Sequence, residues 1–258
     1  AVSVVLATWV MARIERRPAW AYGLAPAHWL PRLLAGLAWG VGFLSLLVLA
    51  LRATGLLVFN GRLLYGVAAL RAGALWLACF LAVGFFEETF FRGYMQATLA
   101  RGLSGIYGWL GAPNRQTLGF WTSAFLLSFG FGFTHKSNPG ESPIGLLSAG
   151  LIGVVFCLSL WRTGSLWWAI GLHAAWDWAQ SYFYGVADSG IIVSGRLLQT
   201  HPAGRVILSG GLTGPEGSIF ILPTVLLIAV VIVVTLPATR NRYSDQDASP
   251  GPAALDLA

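Results

Sequence analysis

The run IFILPTVLLIAVVIVVTL, Ile219 to Leu236, contains no charged residue. About 18–20 apolar residues in a helix cross a bilayer core. Inside lipid every backbone N–H and C=O must be bonded within its own segment, which leaves a run like this one only the helix. Five further runs have the same character: Leu33–Leu51, Ala72–Phe86 with the polar stretch that follows it, Leu118–Thr134, Ile144–Trp161 and Leu166–Tyr184. The opening AVSVVLATWVM reads as the tail of another span. A cleaved signal peptide is its rival reading, but no small-residue cleavage site follows. Only 10% of the residues are charged and mean hydropathy is +0.70, where a soluble domain carries roughly 25% charge. The expected fold is all-α: a polytopic transmembrane helical bundle of about seven spans.

A net charge of +6 would raise the question of nucleic acid in a soluble protein. Here the arginines cluster at span ends, as in RIERRP (13–18), Arg52, Arg101, Arg162 and RNR (240–242). That placement suits anchoring at lipid headgroups and excludes a nucleic-acid partner. The side that holds RIERRP has nine basic residues against six, a weak bias for a cytoplasmic C-terminus. Cys79 and Cys157 both fall in spans, form no CxxC and read as buried structural thiols.

The chain divides into N-terminal spans with an interfacial segment (1–71), a core carrying the polar motifs (72–184), a loop with the last transmembrane helix (185–237) and a disordered polar tail (238–258). RPAWAYGL (17–24) reads as a turn at the membrane surface. Residues 55–71 read as an interfacial helix. The long connection Gly185–Gly217, rich in Gly and Ser, reads as a spacer or a partial re-entrant cover without evident chemistry of its own.

Within the spans the informative residues are ionisable, because each Asp, Lys or Arg at a helix centre costs ~2.5–3.5 kcal/mol. FFEETFFRGYMQ places Glu87, Glu88 and Arg92 on one helix, on the order of 8–10 kcal/mol before any pairing. Glu88 and Arg92 are four apart and can pair; a buried ion pair that merely fixes packing is an equal reading. Glu87 is rotated about 100° from Glu88 and can face another neighbour. His135 follows an apolar span in FGFTHKSN, with Phe131 on the same face. His173 and Asp177 share one face of a further span in IGLHAAWDWAQ. His28 and His201 fall in loops and read as solvated.

A carboxylate, two imidazoles and a supporting ion pair inside a membrane suit the activation of a water molecule. A buried carboxylate can take its proton, and imidazoles can hold the water or donate to a developing oxyanion. Peptide-bond hydrolysis uses all these roles. The chain has no HExxH, GxSxG or P-loop. Metal binding by His135, His173 and a carboxylate is geometrically open.

EETFFR fits EExxxR, FGFTH fits FxxxH, and HAAWD fits HxxxN/D. In that order the three motifs resemble those of the CAAX protease and bacteriocin-processing (CPBP, or Abi) family of membrane proteases, over about residues 72–184, and GPEGS before the last span is similar too. The resemblance implies an intramembrane endopeptidase related to the type II CAAX prenyl endopeptidase, with residues 72–184 as its catalytic helical core. Glu87 would be the general base, helped by His135; His173 and Asp177 would form the oxyanion side, and Glu88 with Arg92 would support the first motif. Asp177 stands where the eukaryotic pattern has Asn, so it must be protonated, orient His173 or bind metal. Family members are described both as glutamate-type enzymes and as metalloproteases. In the latter case a divalent metal such as zinc would sit on Glu87, His135 and His173; otherwise no cofactor is implied. The expected partners are membrane lipid and a peptide or protein substrate, and the expected location is a bacterial inner membrane, crossed several times. Transporter-like proteins, membrane scaffolds and immunity proteins of the same fold are the non-catalytic alternatives.

Overall fold

The structure is a computed structural model that describes residues 18–238 together with Trp9, Val10, Arg13, Ile14 and Arg16. The polar tail after Ala238 and nearly all of the N-terminal apolar run lie outside the described residues. Among the described residues six helical rods build the bundle. They are α1 (Trp29–Ala53), α2 (Gly66–Trp109), α3 (Arg115–Thr134), α4 (Pro143–Thr163), α5 (Trp167–Asp177) and α6 (Ile221–Thr235). The middle of α2, Glu88–Met95, is wound as a π-helix, and α5 runs on into a second π-helical stretch, Trp178–Tyr184.

Local chemistry explains the helix ends where it is strongest. At the start of α4, Ser142 accepts the Gly145 N–H at 3.1 Å and Pro143 occupies the first turn, where its missing N–H costs nothing. Gly164 then closes the helix in the left-handed region, at φ 62°. Near the N-terminus, RPAWAYGL forms a single 3-10 turn, Ala19–Tyr22, ended by Gly23, whose carbonyl accepts the Leu166 N–H at 2.8 Å.

The six apolar runs all become helices, but not all become spans. Three helices are long and apolar enough to cross a membrane by length and composition: α1, α2 and α4. The run that looked clearest in the sequence yields only the 15-residue α6, because Ser218–Phe220 is spent on the turn that precedes it. In α5 the α-helical part is 11 residues long before the π-helical winding takes over. Of the about seven spans expected, three are clear by length and composition among the described residues.

The all-α expectation is also corrected. Residues 57–62 form a strand, β1 (Leu57–Arg62), instead of an interfacial helix, and pair antiparallel with β2 (Leu198–Pro202). Leu57 lies opposite Pro202 and Arg62 opposite Leu198, with an irregularity between Phe59 and Gly61. Cys79 is exposed and only Cys157 is buried, which corrects the reading of two buried thiols.

The tightest crossing, α1 on α5, is made by glycine. A Cβ on Gly36 would lie 2.2 Å from the Trp168 carbonyl oxygen, one on Gly40 2.4 Å from that of Leu172, and one on Gly171 2.3 Å from that of Leu33. Without a hydrophobic effect between helices in lipid, such close backbone approach is what dispersion needs. Around this crossing Phe43, Leu44, Leu47, Val48, Leu51, Trp168, Leu172 and Ile228 form the main core. It fixes α5, and with it His173 and Asp177, against the rest of the bundle.

Candidate active site

The sequence EETFF lies where α2 changes winding: Glu87 ends the α-helical part and Glu88 begins the π-helical part. A π turn widens the helix and re-aims its side chains, and such turns recur at functional sites. Glu88 is fully buried, whereas Glu87 keeps a quarter of its side chain accessible and lines a cavity. The two neighbouring carboxylates thus do face different ways.

Glu88 is held between two partners. Its Oε1 accepts from Arg92 Nη1 at 3.1 Å and from His173 Nδ1 at 2.8 Å. A carboxylate can only accept, so Nδ1 carries the hydrogen in this bond, and Nε2 is the ring atom that turns to the cavity. Around Nε2 lie Asp177 Oδ2 at 3.5 Å and Glu87 Oε2 at 3.8 Å. Phe156 lies beside the same imidazole, with ring centroids 5.9 Å apart.

Arg92 connects this group to the second motif. Its guanidinium sits 4.5 Å from the centroid of Phe131, and Phe131 in turn meets the His135 ring edge-on at 4.8 Å. His135, just past the end of α3, donates Nδ1–H to the Phe131 carbonyl at 3.0 Å, which leaves Nε2 as its free nitrogen. The four-residue spacing of FxxxH is thus a local device. One phenylalanine receives the buried cation on its ring and fixes the imidazole through its carbonyl.

Glu87, His135, His173 and Asp177 all line one cavity of about 590 Å³. Glu88 and Arg92 lie behind its wall. Phe80, Phe86, Phe91, Ile152, Trp176 and Val225 give it an apolar lining. The structure brings Glu87, Glu88, Arg92, His173 and Asp177 together as one contact group. His135 shares the cavity but forms no ion pair with Glu87 or His173. Among the described residues no three His, Cys, Asp or Glu side chains are arranged to hold a metal ion, the set Glu87, His135 and His173 included.

Of the two readings of the connection 185–217, the structure favours a partial cover over a spacer, and it adds acids that the sequence reading gave no role. Asp188, Ser189 and Glu216 stand in the cavity wall. Asp188 Oδ2 accepts from Ser181 Oγ at 2.9 Å, and Glu216 accepts from the Ser189 N–H. Burial pushes the Asp188 carboxyl up to about 6, against the lowering effect of the Ser181 hydrogen bond. Burial, and then the charge of Asp188, raise Glu216 well above the ordinary carboxylate range. Glu141, close enough to feel both His135 and Glu216, is also raised by burial. A signal for these residues exists in the sequence. Between residues 18 and 238 the only acids are Glu87, Glu88, Glu141, Asp177, Asp188 and Glu216. In so acid-poor a chain each one marks the site.

No curated protein and no solved structure matches the chain. Over residues 72–179, the segment that carries EETFFR, FGFTH and HAAWD, it matches the family model described as Rce1-like, type II CAAX prenyl endopeptidase, and the CAAX-protease resemblance of its motifs stands on that match.

Proposed function

We infer from the apolar helices and the family match that this is an integral membrane protein with a CAAX-protease-like core. We propose that it is an intramembrane endopeptidase that hydrolyses a peptide bond of a membrane-associated protein or peptide, in a bacterial inner membrane, with a water activated by glutamate. The observation that carries this reading is the meeting of Glu87 and Asp177 at Nε2 of His173, 3.8 and 3.5 Å away, on the wall of an apolar cavity.

In this reading Glu87 takes a proton from a water molecule in the cavity as its oxygen attacks the scissile carbonyl carbon. The carbonyl oxygen becomes the tetrahedral oxyanion, which His173, its Nδ1–H held by Glu88, stabilises through Nε2–H as an imidazolium, while Nε2 of His135, its Nδ1–H held by the Phe131 carbonyl, is free to accept from the attacking water beside Glu87. Glu87 then returns the proton to the departing nitrogen, the C–N bond breaks to a carboxylic acid and an amine, and the acid's proton passes to the amine, so that a carboxylate and an ammonium leave. Asp177 orients His173 instead of donating to the oxyanion. Glu88, pinned by Arg92, holds the imidazole from behind through Nδ1. Apolar walls suit a substrate that arrives from lipid, and exclusion of bulk water strengthens each of these electrostatic contacts.

The test is turnover of lipidated and of plain hydrophobic peptides by the protein reconstituted in vesicles. Parent protein should cleave and a folded Glu87→Gln protein should not. Equal cleavage by both would overturn the assignment. Absence of cleavage by either, with membrane peptides unchanged between parent and Glu87→Gln cells, would favour a non-catalytic scaffold, immunity or transport role.

A further inference from the structure

Four exposed arginines flank the β1–β2 ribbon, in a part of the described surface that holds no acid. Helix α1 ends at Ala53 and α2 begins at Gly66, and both are long and apolar enough to span. The β1–β2 ribbon therefore lies where two spans leave the bilayer, at the level of the headgroups. Arg52 precedes the ribbon, Arg62 ends β1, Arg71 lies in the second turn of α2, and Arg205 follows β2. All four are exposed, and none has a carboxylate partner among the described residues. No acid occurs between Arg52 and Phe86 or between Ser189 and Pro215.

Two of these guanidiniums are held in place by aromatic rings. Arg52 lies 4.7 Å from the centroid of Phe59, and Arg62 lies 4.9 Å from that of Tyr65, with its Nε donating to the Leu64 carbonyl at 2.7 Å. A stacked guanidinium loses little further freedom when its N–H edge forks onto a phosphate. Arg162, elsewhere in the bundle, is by contrast occupied: it donates to the carbonyls of Val233 and Leu236 at 2.7 to 3.1 Å.

We infer that the β1–β2 ribbon is a binding surface for the phosphate groups of anionic phospholipids. Charge complementarity and depth select this occupant: an unpaired cationic cluster at headgroup level meets phosphodiesters before it meets anything else. The apolar side chains Val58, Leu63 and Tyr65 are exposed beside the cations and would enter the adjoining acyl region. The connection that leads into β2 lines the cavity. Trp76 donates from Nε1 to the Ser194 carbonyl at 3.1 Å, and Ile191 and Val193 of the same connection line the wall. The inference rests on this surface alone and is independent of the hydrolytic reading.

The full chain is reconstituted in vesicles made of equal parts phosphatidylcholine and phosphatidylglycerol, and the lipids that remain bound are counted by native mass spectrometry. Parent protein should retain phosphatidylglycerol in excess. Arg52→Gln/Arg62→Gln/Arg205→Gln should lose that excess by roughly fivefold for each arginine removed, while the corresponding Lys variants keep most of it. No excess on the parent protein, or an undiminished excess on the folded Gln variant, overturns the inference. Should the Gln variant not fold, salt decides on the parent protein. An excess that vanishes toward about 1 M salt supports the surface, and one that survives overturns it.

Discussion

The two π-helical stretches occupy matching positions and do opposite things. Glu88–Met95 begins directly after Glu87, and Trp178–Tyr184 begins directly after Asp177, so both follow an acid of the cavity wall. In the second stretch the polar side chains are nearly all spent. Tyr182 donates to the Ala69 carbonyl at 2.6 Å, Tyr184 to Ser45 Oγ at 2.8 Å, Trp178 to the Gly73 carbonyl at 2.9 Å and Gln180 to the Ala187 carbonyl at 2.8 Å. Each bond ties α5 to α1, to α2 or to the connection that completes the cavity. In the first stretch Glu88 Oε2, Thr89 Oγ1 and Arg92 Nη2 are buried without a protein partner, as is Gln96 Nε2 one residue later. A bundle that can satisfy one π-helical stretch so fully has kept polar capacity in the other. The second is a brace, and the first is the electrostatic seat of the site.

The largest effect that would sharpen this contrast is on rate. Glu87→Gln should lower peptide turnover by about 10²–10⁴-fold, the range for loss of a general base, with an unchanged melting temperature. A variant as active as its parent would remove the distinction. Next comes stability at the seat. Arg92→Met takes from buried Glu88 its permanent cation and leaves only the His173 bond, and should cost about 3–5 kcal/mol in denaturant unfolding, of which Arg92→Met/Glu88→Leu should recover a large part. If the double variant is no more stable than the single one, the pair is not the relevant unit. At the brace the effect should be smaller and purely structural. Tyr182→Phe removes one hydrogen bond, costs about 1 kcal/mol, and leaves turnover of the folded protein intact. A loss of turnover there comparable to that of Glu87→Gln would dissolve the comparison.

The smallest effect is a pH slope. Folded Asp188 keeps its proton up to about 6, whereas an unfolded chain releases it near 3.8. Its contribution to stability is therefore complete below that lower value and is lost as pH rises through about 6. Asp188→Asn should flatten the fall in melting temperature across this window, and a slope identical to the parent's would show that Asp188 does not titrate there.

The sequence made the polar side of the site legible before the architecture. Glu87, Glu88, Arg92, His173 and Asp177 stood out because lipid makes ionisable groups costly, and helical spacing sorted them into faces that the structure reproduces. His135 was legible as a cavity residue but not as one lodged on its own Phe131. Asp188 was missed, and Glu216 was noticed only within GPEGS and given no role, because both lie in a loop, where an acid costs little. The π windings were hidden as well, since FFRGYM and WAQSYFY have no local signature that separates i→i+5 from i→i+4 bonding.

What the sequence determined by itself was the medium and the chemistry: apolar runs that lipid forces into helices, and acids and imidazoles too expensive to place there without use. What only the tertiary structure decided was how many of those runs are long enough to cross, that residues 57–62 and 198–202 meet as a ribbon, and that a glycine-rich connection supplies a wall of the cavity. The physical reason is range. Hydropathy and helical period act over one or two turns, whereas strand register, backbone contact through Gly36, Gly40 and Gly171, and burial of a loop carboxylate depend on segments far apart in the chain.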